Sequence, residues 1–140
     1  MFLDASIVVA VIMHEEGWEA DFSKLLAAGG PYFYSPMVGY EAVVAIARIS
    51  QLAKGVRVDA ALLAEAEAVF DDFMQRLPAK EIEITPEIGK GALMATRTYG
   101  KAVGHKAALN FGDCFSYAAA KALGVGLLYK GNDFALTDLS

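Results

Sequence analysis

Four carboxylates stand out by where they fall in the chain. Asp4 follows the apolar run Met1-Phe2-Leu3, and Glu41 lies inside an otherwise apolar stretch. Asp113 comes directly behind the turn formers Asn110 and Gly112. Asp133 follows Asn132, just past the apolar run Val125–Tyr129. An unpaired carboxylate in apolar surroundings loses hydration worth several kcal/mol, so Glu41 needs a cation, a proton or a wet cleft. Carboxylates that share one cleft raise each other's pKa. A hard divalent cation resolves that conflict, because Mg²⁺ and Mn²⁺ take oxygen ligands and combine a few carboxylates with waters and substrate phosphate oxygens. The chemistry such a site supports is in-line attack of a metal-activated water on a phosphodiester. Taken alone, Asp113 has a plainer reading: an acid in a first helical turn gains ~0.3–1 kcal/mol from the helix dipole.

The four acids matter together only if the fold gathers them. Met1–Asp4 reads as a short buried strand, followed by an apolar helix from Ile7 to about Met13 with Ser6 as N-cap. Residues 15–28 place Trp18, Phe22, Leu25 and Leu26 at helical spacing, and Gly29-Gly30-Pro31 ends that helix. Tyr32-Phe33-Tyr34 reads as a second strand. Ser35-Pro36 opens a helix to about Ala53, apolar nearly all round and therefore expected to be buried. Asp59 caps an amphipathic helix, Ala60 to Leu77. Glu81–Ile84 alternates as a third strand, Thr85-Pro86 opens a helix to about Tyr99, and residues 100–108 read as a loop. The Asp113 helix stops at Gly124 and feeds a strand at Val125–Tyr129. Short strands alternating with helices predict an α/β fold with a parallel sheet covered on both faces. In such sheets chemistry sits beyond the carboxyl ends of the strands, and that is where Asp4, Glu41, Asp113 and Asp133 are all expected.

Composition bounds the alternatives. The chain has 140 residues, 56% of them hydrophobic, and reads as a single domain over 1–140. No apolar run reaches the ~18–20 residues a membrane span needs. The apolar stretch Ile7–Met13 lacks a basic start and is not read as a secretory signal. The single cysteine, Cys114, cannot form an internal disulfide, which fits a reduced, cytoplasmic setting. Net charge is −5, but residues 1–88 hold 14 acids against 6 Lys/Arg while residues 89–140 hold 3 against 6. An electropositive half with a few placed acids suits a polyanion held over a metal site, and scattered solvated cations suit it equally. His14, His105 and Cys114 are isolated and lack zinc spacing. No GxxxxGK[ST], GxGxxG or GxSxG motif occurs. The apolar stripes of residues 36–53 and 60–77 look larger than one core needs, which points to a partner surface.

Four segments carry a resemblance: Met1-Phe2-Leu3-Asp4-Ala5-Ser6, Tyr40-Glu41-Ala42, Leu109-Asn110-Phe111-Gly112-Asp113-Cys114-Phe115-Ser116-Tyr117-Ala118, and Tyr129-Lys130-Gly131-Asn132-Asp133-Phe134-Ala135-Leu136-Thr137-Asp138-Leu139. Together they resemble the PIN-domain ribonuclease toxins of the VapC family. The resemblance implies a three-layer α/β/α sandwich with a central parallel sheet of about four to five short strands. It also implies Mg²⁺ or Mn²⁺ as cofactor, RNA as substrate, a homodimer, and a cognate VapB-type antitoxin as inhibitor. By the same resemblance Asp4, Glu41 and Asp113 hold metal and activate water, and Asp133 is the fourth acid, with Asn132 as an outer contact. Ser6 hydrogen-bonds a metal ligand or phosphate, or merely caps its helix. Asp138 is read as capping a turn after Thr137 rather than as a ligand, His105 as a solvated loop residue rather than an RNA contact, and Cys114 and Tyr117 as packing. Two other readings stay open: a catalytically weak PIN-fold binding module, and an acid-cluster phosphatase-like α/β domain.

Overall fold

The computed structural model describes residues 1–139. In chain order it contains β1 (Phe2–Leu3), α1 (Ala5–Ile12), α2 (Trp18–Ala28), β2 (Tyr32–Tyr34), α3 (Pro36–Lys54), α4 (Ala60–Arg76), β3 (Ala79–Glu81), α5 (Pro86–Tyr99), a 3₁₀ turn at Lys101–Val103, α6 (Phe111–Leu123) and β4 (Leu127–Leu128). The four strands form one sheet in the order β3-β2-β1-β4, and every pairing is parallel.

Strand alternation makes the layers. Successive side chains on a strand point to opposite faces. Phe2, Phe33 and Leu127 enter one core with Ile88, Ala92 and Ala118 of α5 and α6. Their neighbours Leu3, Tyr32 and Leu128 enter the other, with α1, α2, α3 and α4. Phe2 and Leu3 are fully buried on these opposite faces, each burial contributing about 1.5–3 kcal/mol of transfer free energy. The result is the expected α/β/α sandwich with four strands. On the α5–α6 face the helices approach closely. A β-carbon at Gly91 would stand 3.1 Å from that of Ala118.

Several boundaries differ from the sequence reading. The third strand lies at Ala79–Glu81, not at Glu81–Ile84, because it pairs residue for residue with the three-residue β2 (Tyr32 with Ala79, Tyr34 with Glu81). The Ile82 N–H still donates to the Tyr34 carbonyl (2.9 Å), but the chain then leaves the sheet. The last strand shrinks to Leu127–Leu128, matched to the two residues of β1. α2 starts at Trp18, since Gly17 takes φ +82° just before it. The helix over Pro36–Lys54 is not buried all round: Val38, Ala42, Ile46 and Ala47 face inward while Tyr40, Arg48 and Leu52 are exposed. The apolar stripes of α3 and α4 largely pack into one core, where Ile46, Leu62, Ala66, Phe70 and Met74 meet. Most of the surplus attributed to a partner is therefore internal packing. Among the described residues, no helix is long and apolar enough to cross a membrane.

Candidate active site

Each acid owes its position to the local chain. Asp4 is the residue after β1, and its N–H donates to the Leu128 carbonyl (2.9 Å), which ties it to β4. Its backbone is extended, and it is the N-cap of α1. Asp4 Oδ2 accepts from both the Ser6 N–H (3.0 Å) and the Ser6 hydroxyl (2.6 Å). This corrects the assignment of the cap to Ser6: the carboxylate caps, and Ser6 holds the carboxylate. The Ser6 Oγ in turn accepts from the Lys130 N–H (3.1 Å), joining the two ends of the chain at the site.

Asp113 sits in the first turn of α6, inside a capping box. Its backbone N–H donates to Asn110 Oδ1 (3.0 Å), and its Oδ2 accepts from the Asn110 N–H (2.7 Å). The side chain is buried. Glu41 comes from α3, which starts right after β2 behind the Ser35 cap and Pro36. Its carboxylate lies against the backbone of Gly112, where any β-carbon would overlap it. Glycine at 112 thus leaves the room that Glu41 takes up in this position, and it does so by close approach, not by φ. Asp133 is exposed, in the turn that follows β4.

All four acids line one cleft of about 710 Å³, together with Ser6, Asn110, Tyr40, Arg48 and Lys130. Burial pushes Glu41 up to about 7, and the charges of Asp4 and Asp113 add to the effect. Burial also raises Asp113 to about 6 against the opposing pull of the Asn110 N–H, with Asp4 and Asp133 contributing. The acids thus feel each other's charge, and no ion pair to any of the four occurs among the described residues. Of the two cations that line the cleft, Lys130 is drawn off to Glu15 (3.4 Å), Asp21 (3.6 Å) and the Glu16 carbonyl (2.7 Å), and Arg48 makes no ion pair among the described residues. Asp4 and Asp113 each spend one carboxylate oxygen on a protein bond. Neither Oδ1 has a hydrogen-bond partner among the described residues.

This all-oxygen set, with no ion pair to any of its members among the described residues, fits a hard divalent ion by its chemistry. It is an open set: among the described residues no three His, Cys, Asp or Glu side chains are already assembled around one metal position. Mg²⁺ tolerates that, since it binds through one or two carboxylates and keeps waters or substrate oxygens in the remaining positions.

Other sequence candidates fall elsewhere. Asn132 is exposed in the turn before Asp133, and its carbonyl accepts from the Ala135 N–H (3.0 Å). Asp138 does not cap a turn. It accepts from the Tyr117 hydroxyl (2.7 Å) and the Lys121 ammonium (2.8 Å), fastening the C-terminal segment to α6. Thr137 makes the local turn itself, donating to the Phe134 carbonyl (2.8 Å). His105 is half-buried rather than solvated: its Nδ1 accepts from the Ala107 N–H (3.1 Å) and its ring meets Tyr99 edge-on. Cys114 is buried packing, with the Thr96 hydroxyl donating to its sulfur (3.3 Å). Tyr40, Arg48 and Lys130 line the cleft but were absent from the sequence-derived site. The signal for Arg48 was its spacing: it lies two helical turns from Glu41, on the same face.

A parallel sheet with a carboxylate cleft beyond its strand ends defines an α/β domain with an acidic site at the sheet's edge. The PIN domain family model matches residues 1–139. A VapC ribonuclease of Rhizobium meliloti is 46% identical over 139 residues, 99% of this chain and 98% of that protein. Ribonuclease VapC30 of Mycobacterium tuberculosis is 36% identical over 107 residues, 72% of this chain and 81% of that protein. The crystal structure of Mycobacterium tuberculosis VapC20, described as a Sarcin-Ricin loop cleaving toxin, superposes with a TM-score of 0.72 over 99% of this chain and 95% of that one, at 14% identity, and so speaks for the fold. The chain belongs to the PIN-domain family, within its VapC ribonuclease branch.

Proposed function

We propose that this protein is a metal-dependent endoribonuclease toxin that hydrolyses RNA phosphodiester bonds, held in check by a cognate VapB-type antitoxin in the cytoplasm. The observation that carries the reading is the convergence of four sequence-distant carboxylates on one cleft, with no protein cation paired to any of them among the described residues. Its relatives, named VapC ribonucleases, support the RNA substrate.

Asp4, Glu41, Asp113 and Asp133 would hold Mg²⁺ or Mn²⁺. A bound ion of this kind neutralises phosphate charge and acidifies a water enough to make it a nucleophile near neutral pH. The chain supplies orientation. The Ser6 hydroxyl and N–H fix the Asp4 carboxylate through Oδ2, and the Asn110 N–H fixes Asp113 through Oδ2, so that the second oxygen of each is left for the ion. Neither carboxylate has to give up its protein bond to bind. Glu41 and Asp113, both raised toward neutrality by burial and by their neighbours, gain most when positive charge arrives. The working unit is a homodimer.

The test is cleavage of total RNA and of defined oligoribonucleotides. Wild type should cut with added Mg²⁺ or Mn²⁺, lose activity in excess EDTA, and regain it on metal addition. Asp4→Asn should lose at least ~10²-fold, the scale of removing a group that acts on transition-state charge. Cleavage that is indifferent to EDTA and to Asp4→Asn would overturn the proposal. Co-expression with the cognate VapB-type antitoxin should suppress toxicity, and light scattering should give a dimer.

A further inference from the structure

α3 carries three side chains of different chemistry into one cleft: Tyr40, Glu41 and Arg48. Arg48 lies two helical turns beyond Glu41, about 10 Å along the axis. It is exposed and has no ion pair among the described residues. Tyr40 is 72% exposed although it adjoins the buried side of the helix at Ala42. A second exposed ring lies on the other element. Phe111 opens α6, is 70% exposed, and is held by Phe115 at a centroid distance of 5.1 Å. Its neighbour Gly112 touches the Glu41 carboxylate. One exposed aromatic therefore adjoins Glu41 in sequence, and another is one residue from the backbone that Glu41 rests on. Neither exposure contributes to the fold.

Exposed rings beside a phosphate-cleaving site suit unpaired bases, which stack on aromatic side chains in a sequence-tolerant way. Bases inside a duplex have no free face to offer. The row also contains a cation, which a phosphate needs and an apolar protein partner does not. Tyr40, Glu41 and Arg48 line the same cleft, so a base, the scissile phosphate and a further phosphate can all meet α3.

On the ribonuclease reading above, we infer that α3 is the wall that reads the RNA strand. Tyr40 stacks an unpaired base beside the scissile phosphate, and Arg48 pairs with a phosphate further along.

The experiment uses the full-length protein and a short oligoribonucleotide carrying 2-aminopurine, in an Asp113→Asn background so that binding is read without cleavage. Wild-type wall residues should quench the fluorophore on binding. Tyr40→Ala should weaken binding about tenfold and abolish most of the quench, and Tyr40→Trp should restore both. Arg48→Gln should leave the quench but lower the slope of log affinity against log salt by about 0.7, the loss of one single-strand phosphate contact. In the active enzyme Tyr40→Ala should raise KM about tenfold with kcat changed less than about threefold. Unchanged affinity and quench in Tyr40→Ala, with cleavage intact, would overturn the wall and leave the ribonuclease reading standing. A Tyr40→Ala protein that turns from dimer to monomer in light scattering, with kcat lost in step, would assign Tyr40 to a subunit contact and overturn the inference. Equal affinity for duplex and single strand would overturn it as well.

Discussion

The two walls of the cleft hold their acids in different ways. On the α6 side, Asp113 is built into the helix start: it is buried, bonded to the Asn110 N–H, and half of a reciprocal capping box. On the α3 side, the Glu41 carboxylate has no hydrogen-bond partner among the described residues and rests in space left by the missing side chain of Gly112. Asp113 is fixed by what it binds, and Glu41 by what is absent next to it. The first arrangement contributes to folding. The second raises Glu41 further toward neutrality, with no bond to offset the burial. A site that must accept an ion and a phosphate gains from such a pair, one acid rigid and one able to adjust.

The largest expected effect probes the rigid side. Asp113→Asn keeps an oxygen for the Asn110 N–H and so keeps the cap, but it removes the charge. RNA cleavage should fall by ~10³-fold or more, the several kcal/mol expected for charge at a metal-assisted reaction, while the melting temperature stays level or rises. A melting temperature that drops by more than ~5 °C would mean that the cap depends on the charge.

Next comes the adjustable side. Gly112→Ala pushes a methyl group into the Glu41 carboxylate. Glu41 can swing away at little cost, and alanine gains ~1 kcal/mol of helix propensity over glycine. Activity should fall about 10²-fold, as for an ångström-scale displacement at a reacting centre, with the melting temperature unchanged or slightly higher. Parallel loss of both would erase the contrast between the walls.

The pH dependence of stability gives a smaller effect. Both acids have folded pKa values above their ordinary ones, about 7 for Glu41 and about 6 for Asp113. The folded state therefore binds more protons between about pH 4 and pH 7. The contribution of these groups is most favourable at the acid end of that window and is lost as pH rises through it. Glu41→Gln should flatten the fall in melting temperature over this range, by on the order of 5 °C, and added Mg²⁺ should reverse it at pH 7.5 in wild type. A Glu41→Gln curve parallel to wild type would place the coupling elsewhere. The smallest effect belongs to Asp138→Asn, which removes a half-exposed ion pair to Lys121. Such pairs contribute about 0–1 kcal/mol, so calorimetry should show a shift of a few degrees at most and cleavage should stay within about twofold.

The gathering of Asp4, Glu41 and Asp113 was legible in the sequence because each sits at a signalled boundary. Asp4 ends an apolar run, Ser35-Pro36 marks the helix that carries Glu41, and Asn110 and Gly112 mark the turn ahead of Asp113. The parallel α/β sandwich followed from the alternation of strands and helices. What was misread lies where two residues of one chemical type compete. Asp4 and Ser6 are both good caps, and only the extended backbone at Asp4 decides between them. The alternation at Glu81–Ile84 resembled a strand because a chain leaving a sheet keeps its period for a few residues. The length of β2, set by tertiary pairing, decides where the strand stops. Asp138 was drawn to Tyr117 and Lys121 across a sequence separation that no local pattern encodes. Tyr40 and Arg48 were hidden by the apolar character of their helix, which masks which residues face out.

The hydrogen bond from Lys130 to Ser6 spans 124 positions, and the central strand β1 finds its second neighbour only at Leu127–Leu128. In terms of synthesis, Asp4 is made more than a hundred residues before the strand and turn that fix it. A nascent chain stopped before residue 126 would carry Asp4, Glu41 and Asp113 but would lack β4, the bond to Ser6 and Asp133. The cleft is therefore incomplete until β4 and the turn behind it have been made, however early its first three acids appear.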